Sequence, residues 1–146
     1  DKFYKRIFPT LKEVQHITDL VLQKKGIDKI IILNTGQQIT IDEKKRRRDY
    51  GDILLEIWSV SEKHIEGWLT KDQCDYIVYA IMPTLKVYLL PTILLRKAWF
   101  ANQEQWDSDY PRKNALNKDY TTISIAIPIK VVLSAIKEQM EQSLTA

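Results

Sequence analysis

The chain has 146 residues, 45% of them hydrophobic and 28% charged, which suits one globular domain spanning residues 1–146 with its own core. One cysteine and two histidines exclude a disulfide framework and a Cys- or His-rich zinc site. No apolar run reaches the ~18 residues of a membrane span and no signal peptide is visible, so the expectation is no membrane partner and a reducing cytoplasm. The net charge of +3 is mild but unevenly placed.

Thr10-Leu11-Lys12-Glu13 has the pattern of a capping box, and Leu11, Val14, Ile17 or Thr18, and Val21 follow at helical spacing. A first helix is therefore predicted to run to Lys25 and to stop at Gly26. Gly26 to Leu33, Asn34-Thr35-Gly36 and Gln37 to Lys44 then read as a β-hairpin with a Gly-containing turn. With a three-residue loop, Asn34 and Thr35 in a type I turn and Gly36 left-handed, Leu33 pairs with Gln37 and Asp28 stands opposite Asp42. A two-residue loop would instead place Glu43 opposite Asp28.

Lys44, Lys45, Arg46, Arg47 and Arg48 form a consecutive basic run after the hairpin, either a solvated turn or a set of phosphate contacts. Asp52 to Ser59 is predicted as a third, central strand carrying Glu56, which is either a further acid near the site or a paired structural carboxylate. Residues 60–69 form a polar connection. Thr70-Lys71-Asp72-Gln73 resembles another capping box, and Cys74, Ile77, Val78 and Ile81 would be the buried stripe of a helix ended by Pro83. Cys74 on that stripe is a small core residue rather than a nucleophile.

Lys86 to Leu90 reads as a fourth strand, and Thr92 as the cap of a helix through Trp106. Trp99, Phe100, Trp106 and Tyr110 are buried anchors or stacking platforms. Residues 107–119 lack periodicity and suggest a surface loop. Tyr120 to Ile127 alternates like a half-buried strand, and Pro128 opens a last amphipathic helix with Ile129, Val132, Leu133, Ile136 and Met140 inward.

The chemistry concentrates on the hairpin. Strand alternation puts Asp42 and Lys44 on one face, with Asp28 across from Asp42 and Cβ atoms roughly 4.5–5.5 Å apart. Two carboxylates at about 5 Å repel by roughly 3 kcal/mol at an effective dielectric of 20. A hard divalent cation with oxygen ligands, Mg²⁺ or Mn²⁺, would neutralise them. The bland alternative is a strand start at Asp28 and a solvated edge at Asp42-Glu43-Lys44.

The order helix, hairpin, strand, helix, strand predicts an α/β fold with a central mixed β-sheet flanked by helices. Together with Asp28 and Asp42-Glu43-Lys44, it resembles the PD-(D/E)XK nuclease superfamily, the fold of many restriction endonucleases, Holliday-junction resolvases and phage exonucleases. The phrases Gly26-Ile27-Asp28, Ile41-Asp42-Glu43-Lys44, Asp52-Ile53-Leu54-Leu55-Glu56, Gly67-Trp68, Cys74-Asp75-Tyr76-Ile77-Val78-Tyr79 and Leu90-Pro91 look like a group of small phage and bacterial proteins, over roughly residues 8 to 133.

The resemblance implies a restriction-endonuclease-like core, with Asp28 and Asp42 as metal ligands and Lys44 as the catalytic lysine near the scissile phosphate. Glu43 would be the variable middle residue facing away. It also implies an accessory acid on the first helix, for which Glu13 is the candidate. Departures are Ile27 where Pro often stands, a helix leading straight into Asp28, and Asp75-x-x-x-Tyr79 where some members carry Gln-x-x-x-Tyr on a helix.

The resulting expectation is a Mg²⁺-dependent deoxyribonuclease that hydrolyses phosphodiester bonds, with Mn²⁺ as an alternative cofactor and Lys45, Arg46, Arg47 and Arg48 on the DNA backbone. A homodimer is an open option. The alternatives are a non-catalytic nucleic-acid-binding module on the same fold and a protein-assembly subunit using aromatic residues such as Trp99 and Trp106.

Overall fold

The computed structural model describes residues 2–145, with side-chain environments through residue 142. Asp1 and Ala146, part of the expected 1–146 domain, lie outside the described residues. In chain order the elements are α1 (Lys2–Ile7), β1 (Leu11–His16), α2 (Leu20–Lys24), β2 (Lys29–Leu33), β3 (Gln38–Arg46) and β4 (Asp52–Val60). After a 3₁₀ turn at Ser61–Lys63 come β5 (Ile65–Glu66), α3 (Trp68–Lys71), β6 (Tyr76–Ile81), β7 (Lys86–Pro91), α4 (Thr92–Asp109), β8 (Arg112–Leu116), β9 (Thr121–Pro128) and α5 (Ile129–Thr145).

The strands form two sheets. A five-stranded sheet has the order β1-β2-β3-β6-β7 and a four-stranded sheet the order β5-β4-β9-β8. In the first, β3 and β6 run parallel and the other neighbours antiparallel, so the sheet is mixed. The second is antiparallel throughout. The fold is thus α/β with a mixed sheet, as expected, but a second, antiparallel sheet accompanies it where a single central sheet is predicted. The parallel return from β3 to β6 passes through β4, β5 and α3. No described helix is long and apolar enough to cross a membrane.

The first predicted helix is instead mostly β1, and the reason lies in its register. β1 pairs with β2 through Leu11↔Leu33 and Val14↔Ile31, with an irregularity between Leu11 and Glu13. That bulge brings residues three apart onto one face. Leu11 and Val14 both pack there against the cluster of Tyr4, Ile31, Ile39, Ile41 and Val78. A bulged strand therefore imitates helical spacing. Only α2 is helical in this stretch, capped by Asp19 Oδ1, which accepts from Val21 N–H at 2.8 Å and Leu22 N–H at 3.1 Å. It ends at Gly26, whose φ is +72°.

The predicted helix from Thr70 is also overturned. It is the single turn of α3 followed by β6, whose central residues Ile77, Val78 and Tyr79 are buried on both faces of the sheet. A strand apolar on both faces carries no alternation and cannot be told from a buried helix by period. Pro83 accordingly sits in the turn between β6 and β7. β4 forms as predicted but in the second sheet, paired with β9 and β5 rather than with the hairpin. Arg112–Leu116, within the predicted surface loop, forms an exposed edge strand on β9. The strand β7 and the helices α4 and α5 fall where predicted, although Leu133 and Met140 of α5, expected to face inward, are exposed.

The main core lies among the two sheets, α3, α4 and α5. Ile53 and Leu55 of β4, Ile77 and Ile81 of β6, Leu95 and Trp99 of α4, Ile125 and Ile127 of β9, and Val132 of α5 all pack into it. The opposite face of the five-stranded sheet is covered by α1 through Tyr4.

Gly67 sets the approach of α3 to β4. Its N–H donates to Ile57 O at 2.8 Å, and a Cβ there would stand 2.3 Å from the Glu56 carbonyl oxygen. Gly67→Ala is expected to cost on the order of 3 kcal/mol or more in urea unfolding, since backbone must move. Gly36→Ala, at φ +87° but in open space, should cost only about 1 kcal/mol. Equal costs would contradict this packing.

Candidate functional site

The turn at residues 34–36 forms as its chemistry dictates. Gly36 is left-handed, and Leu33 N–H donates to Gln37 O at 2.9 Å. The ladder then runs Ile32↔Gln38, Ile31↔Ile39, Ile30↔Thr40 and Lys29↔Ile41. This is the three-residue-loop register, and Asp28 N–H closes it on Ile41 O at 2.8 Å. Asp28 therefore stands beside Asp42. Its Oδ2 accepts from Glu43 N–H at 3.0 Å, and its carboxyl lies within hydrogen-bonding reach of that of Asp42.

Alternation on β3 separates two charged groups. On one face the Lys44 ammonium is 2.8 Å from Asp42 Oδ2, the two side chains being 30% and 3% exposed. The same ammonium lies 5.7 Å from the centre of the Trp68 ring. On the other face Glu43 Oε1 accepts from the Tyr4 hydroxyl at 2.5 Å and from the Lys29 ammonium Nζ at 2.7 Å. The fold thus brings Asp28, Asp42 and Lys44 together and directs Glu43 away.

A residue that sequence reasoning took for part of a helix cap joins them. Asp72 is 2% exposed and its carboxyl is within hydrogen-bonding reach of that of Asp42. Its position is non-local, so no spacing rule could have found it. A late signal is Gly26, where an added Cβ would sit 2.2 Å from Asp72 Cγ. Glycine is needed there for the carboxylate's approach as well as for its φ.

These contacts set the electrostatics. Burial, then the neighbouring Asp72, pushes the Asp42 carboxyl up to about 6, against the opposing pull of Asp28 and Lys44. Asp28 is also raised, by burial and by Asp42. For Lys44, burial works against the charged form, but the attraction of Asp42, with Asp72 and Glu56 behind it, holds its pKa above the ordinary lysine value. Lys44 is a cation near neutral pH.

The remaining predicted residues are placed as follows. Lys44 to Arg48, Tyr50, Leu54, Glu56, Trp68, Tyr79 and Ser124 line a cleft of about 380 Å³. Asp28 and Asp42 are not walls of this cleft; Lys44 reaches from them to it. Lys45, Arg47 and Arg48 are exposed. Arg46 is committed to Asp52 at 2.7 Å and lies over the Tyr50 ring at 5.4 Å.

Glu56 borders the cleft, its Oε1 accepting from Trp68 N–H at 3.3 Å, and it acts on Lys44 rather than on the aspartates. Glu13 lies exposed on β1, opposite Ile32, instead of on a first helix. It is two pairs beyond Gln15↔Ile30 and away from the acidic end of the hairpin, so the structure does not bring it to the site.

Asp75 is bound to Thr40, whose N–H and O–H donate to its Oδ2 at 2.8 and 3.0 Å. The Tyr79 hydroxyl accepts from Leu54 N–H at 3.1 Å. Both flank or lie on a strand, not a helix. Trp99 and Trp106 are buried anchors with rings 6.2 Å apart. The Cys74 thiol is buried and pushed up to about 11 by that burial, which leaves it unreactive.

The donor set suits a hard cation. Apart from the Lys44 ion pair, Asp42 Oδ2 meets no hydrogen-bond donor, and Asp72 Oδ2 is likewise buried without a partner. Among the described residues no three carboxylate, imidazole or thiol groups stand in ready-made ligating geometry. Mg²⁺ does not require them, because it retains several waters and is commonly held by one or two carboxylates. Comparison with protein-family models, curated proteins and solved structures gives no match for this chain.

A carboxyl with a raised folded pKa stabilises the fold below its ordinary range and loses that increment as pH rises through the folded value. For Asp42 the window runs from about 4 to about 6. Without divalent cations, unfolding free energy should rise by on the order of 1 kcal/mol from pH 7 to pH 5. Asp42→Asn should lack this rise. Identical pH profiles in the two proteins would contradict the buried, protonatable carboxyl.

Proposed function

We propose that the chain is a metal-dependent phosphodiesterase of the restriction-endonuclease-like kind, acting on DNA. The observation that carries this reading is the cluster of Asp28 and Asp42 with the Lys44 ammonium at 2.8 Å, reaching a cleft walled by consecutive cations. A mixed sheet with the acids on a hairpin and the lysine two residues further on supports it.

Asp28 and Asp42 would hold Mg²⁺ or Mn²⁺. When bound, the ion lowers the pKa of a coordinated water and offsets charge on the phosphate. Lys44 acts as a fixed cation. Its raised pKa suits a donor to the phosphate oxygen or the attacking water better than a base. Trp68 packs against the lysine and restricts its motion. Lys45, Arg47 and Arg48 supply sequence-independent contacts to the DNA backbone at the cleft rim. Arg46 chiefly fixes the strand end through Asp52.

Purified protein is expected to cut linear, circular or branched DNA with Mg²⁺ or Mn²⁺. Asp42→Ala and Lys44→Ala should each lower the rate at least about 100-fold while remaining folded. Arg47→Ala combined with Arg48→Ala should reduce the slope of log affinity against log salt by about 2. Wild-type rates in both site variants would sink the reading. Salt-sensitive retention of DNA with no cutting in either metal would favour the non-catalytic binding module.

A further inference from the structure

Asp72 has no part in the reaction as described above, yet the fold goes to some lengths to hold it. Arg96 of α4 donates to the carbonyl oxygens of Leu69 at 3.1 Å and of Asp72 at 2.6 Å. Gln73 N–H donates to Lys25 O at 2.8 Å, fastening the segment to the strand entry at Gly26. The bare Gly26 Cα then admits the carboxyl at a distance no other residue would allow. The result is an acid 2% exposed whose Oδ2 meets no hydrogen-bond partner. Burying a carboxylate in this way is costly unless something compensates it.

The local charge count indicates what that is. Asp28, Asp42 and Asp72 carry three negative charges when ionised, and the Lys44 ammonium at 2.8 Å from Asp42 returns one. At least two negative charges are left over, enough for one divalent cation, and Glu56, which also attracts Lys44, adds to the excess. All the available donor atoms are carboxylate oxygens, the class that Mg²⁺ and Mn²⁺ select.

We infer that Asp72 becomes a third oxygen donor when a cation draws the carboxyls together, the three not standing in ligating geometry without it; this role rests on the reading of Asp28 and Asp42 as metal ligands. The loop between α3 and β6, pinned by Arg96, then serves to deliver that donor. The site therefore draws on the parallel strand crossover as well as on the hairpin.

The test is Mn²⁺ titration of the DNA-free protein at neutral pH, with free Mn²⁺ read by electron paramagnetic resonance. Wild type should bind the ion, and Asp72→Asn should bind it at least tenfold more weakly while unfolding cooperatively in EDTA. Unchanged affinity in Asp72→Asn, with loss in Asp42→Asn, would overturn the role of Asp72 and leave the two-carboxylate reading standing. Binding absent from wild type, or indifferent to Asp42→Asn, would remove that reading and this one with it. Should Asp72→Asn not fold, Mg²⁺ titration of wild type followed by carboxyl ¹³C resonances decides the matter. The Asp72 signal should move with those of Asp28 and Asp42, and a stationary signal would refute the assignment.

Discussion

Two aspartates brought side by side at the end of a hairpin away from its turn repel by roughly 3 kcal/mol at about 5 Å and an effective dielectric of 20. One of them, Asp42, has a side chain only 3% exposed, so water cannot screen that repulsion well. The surrounding structure responds at several points. Glu43 N–H supports Asp28, Lys44 supports Asp42, and the Asp42 carboxyl is pushed up to about 6 by its burial. Such an arrangement is stable enough to persist but is poised to accept positive charge. This is the property that a metal-assisted phosphodiesterase needs from its resting protein.

The register that creates the repulsion is guarded from both faces of the sheet. Asp42 and Lys44 pair on one face, while Glu43 is engaged by Tyr4 and Lys29 on the other. A slip of one residue would exchange the faces. It would place Glu43 against the crossover segment and strip Tyr4 and Lys29 of their acceptor. α1 therefore contributes to the site without touching it, by holding Glu43 in place. On the inner face the close contact at Gly26 brings Asp72 against the hairpin, and the one at Gly67 brings α3 against β4. The second sheet supplies the far wall of the cleft through Leu54, Glu56 and Ser124.

What the sequence revealed followed from how local each signal is. The turn at Asn34-Thr35-Gly36 fixes its own register from backbone preferences, so the meeting of Asp28 with Asp42 could be read before any fold was known. β1 could not be read, because its bulge places Leu11 and Val14 on one face at a helical interval. β6 was hidden by burial on both faces. The membership of β4 in a second sheet depends on pairing with β9, some seventy residues later, which no local pattern encodes. Asp72 was missed for the same reason. Its neighbours Gly26 and Asp42 are distant in sequence, and its own surroundings suggested only a helix cap.

The central claim is that Asp28 and Asp42 together hold a divalent cation. It is tested most directly by crystallising the protein with Mn²⁺ and measuring anomalous scattering at a wavelength where manganese contributes. The account predicts an anomalous peak bounded by the carboxyl oxygens of Asp28 and Asp42. Manganese found elsewhere, with none beside these two carboxylates, would contradict it.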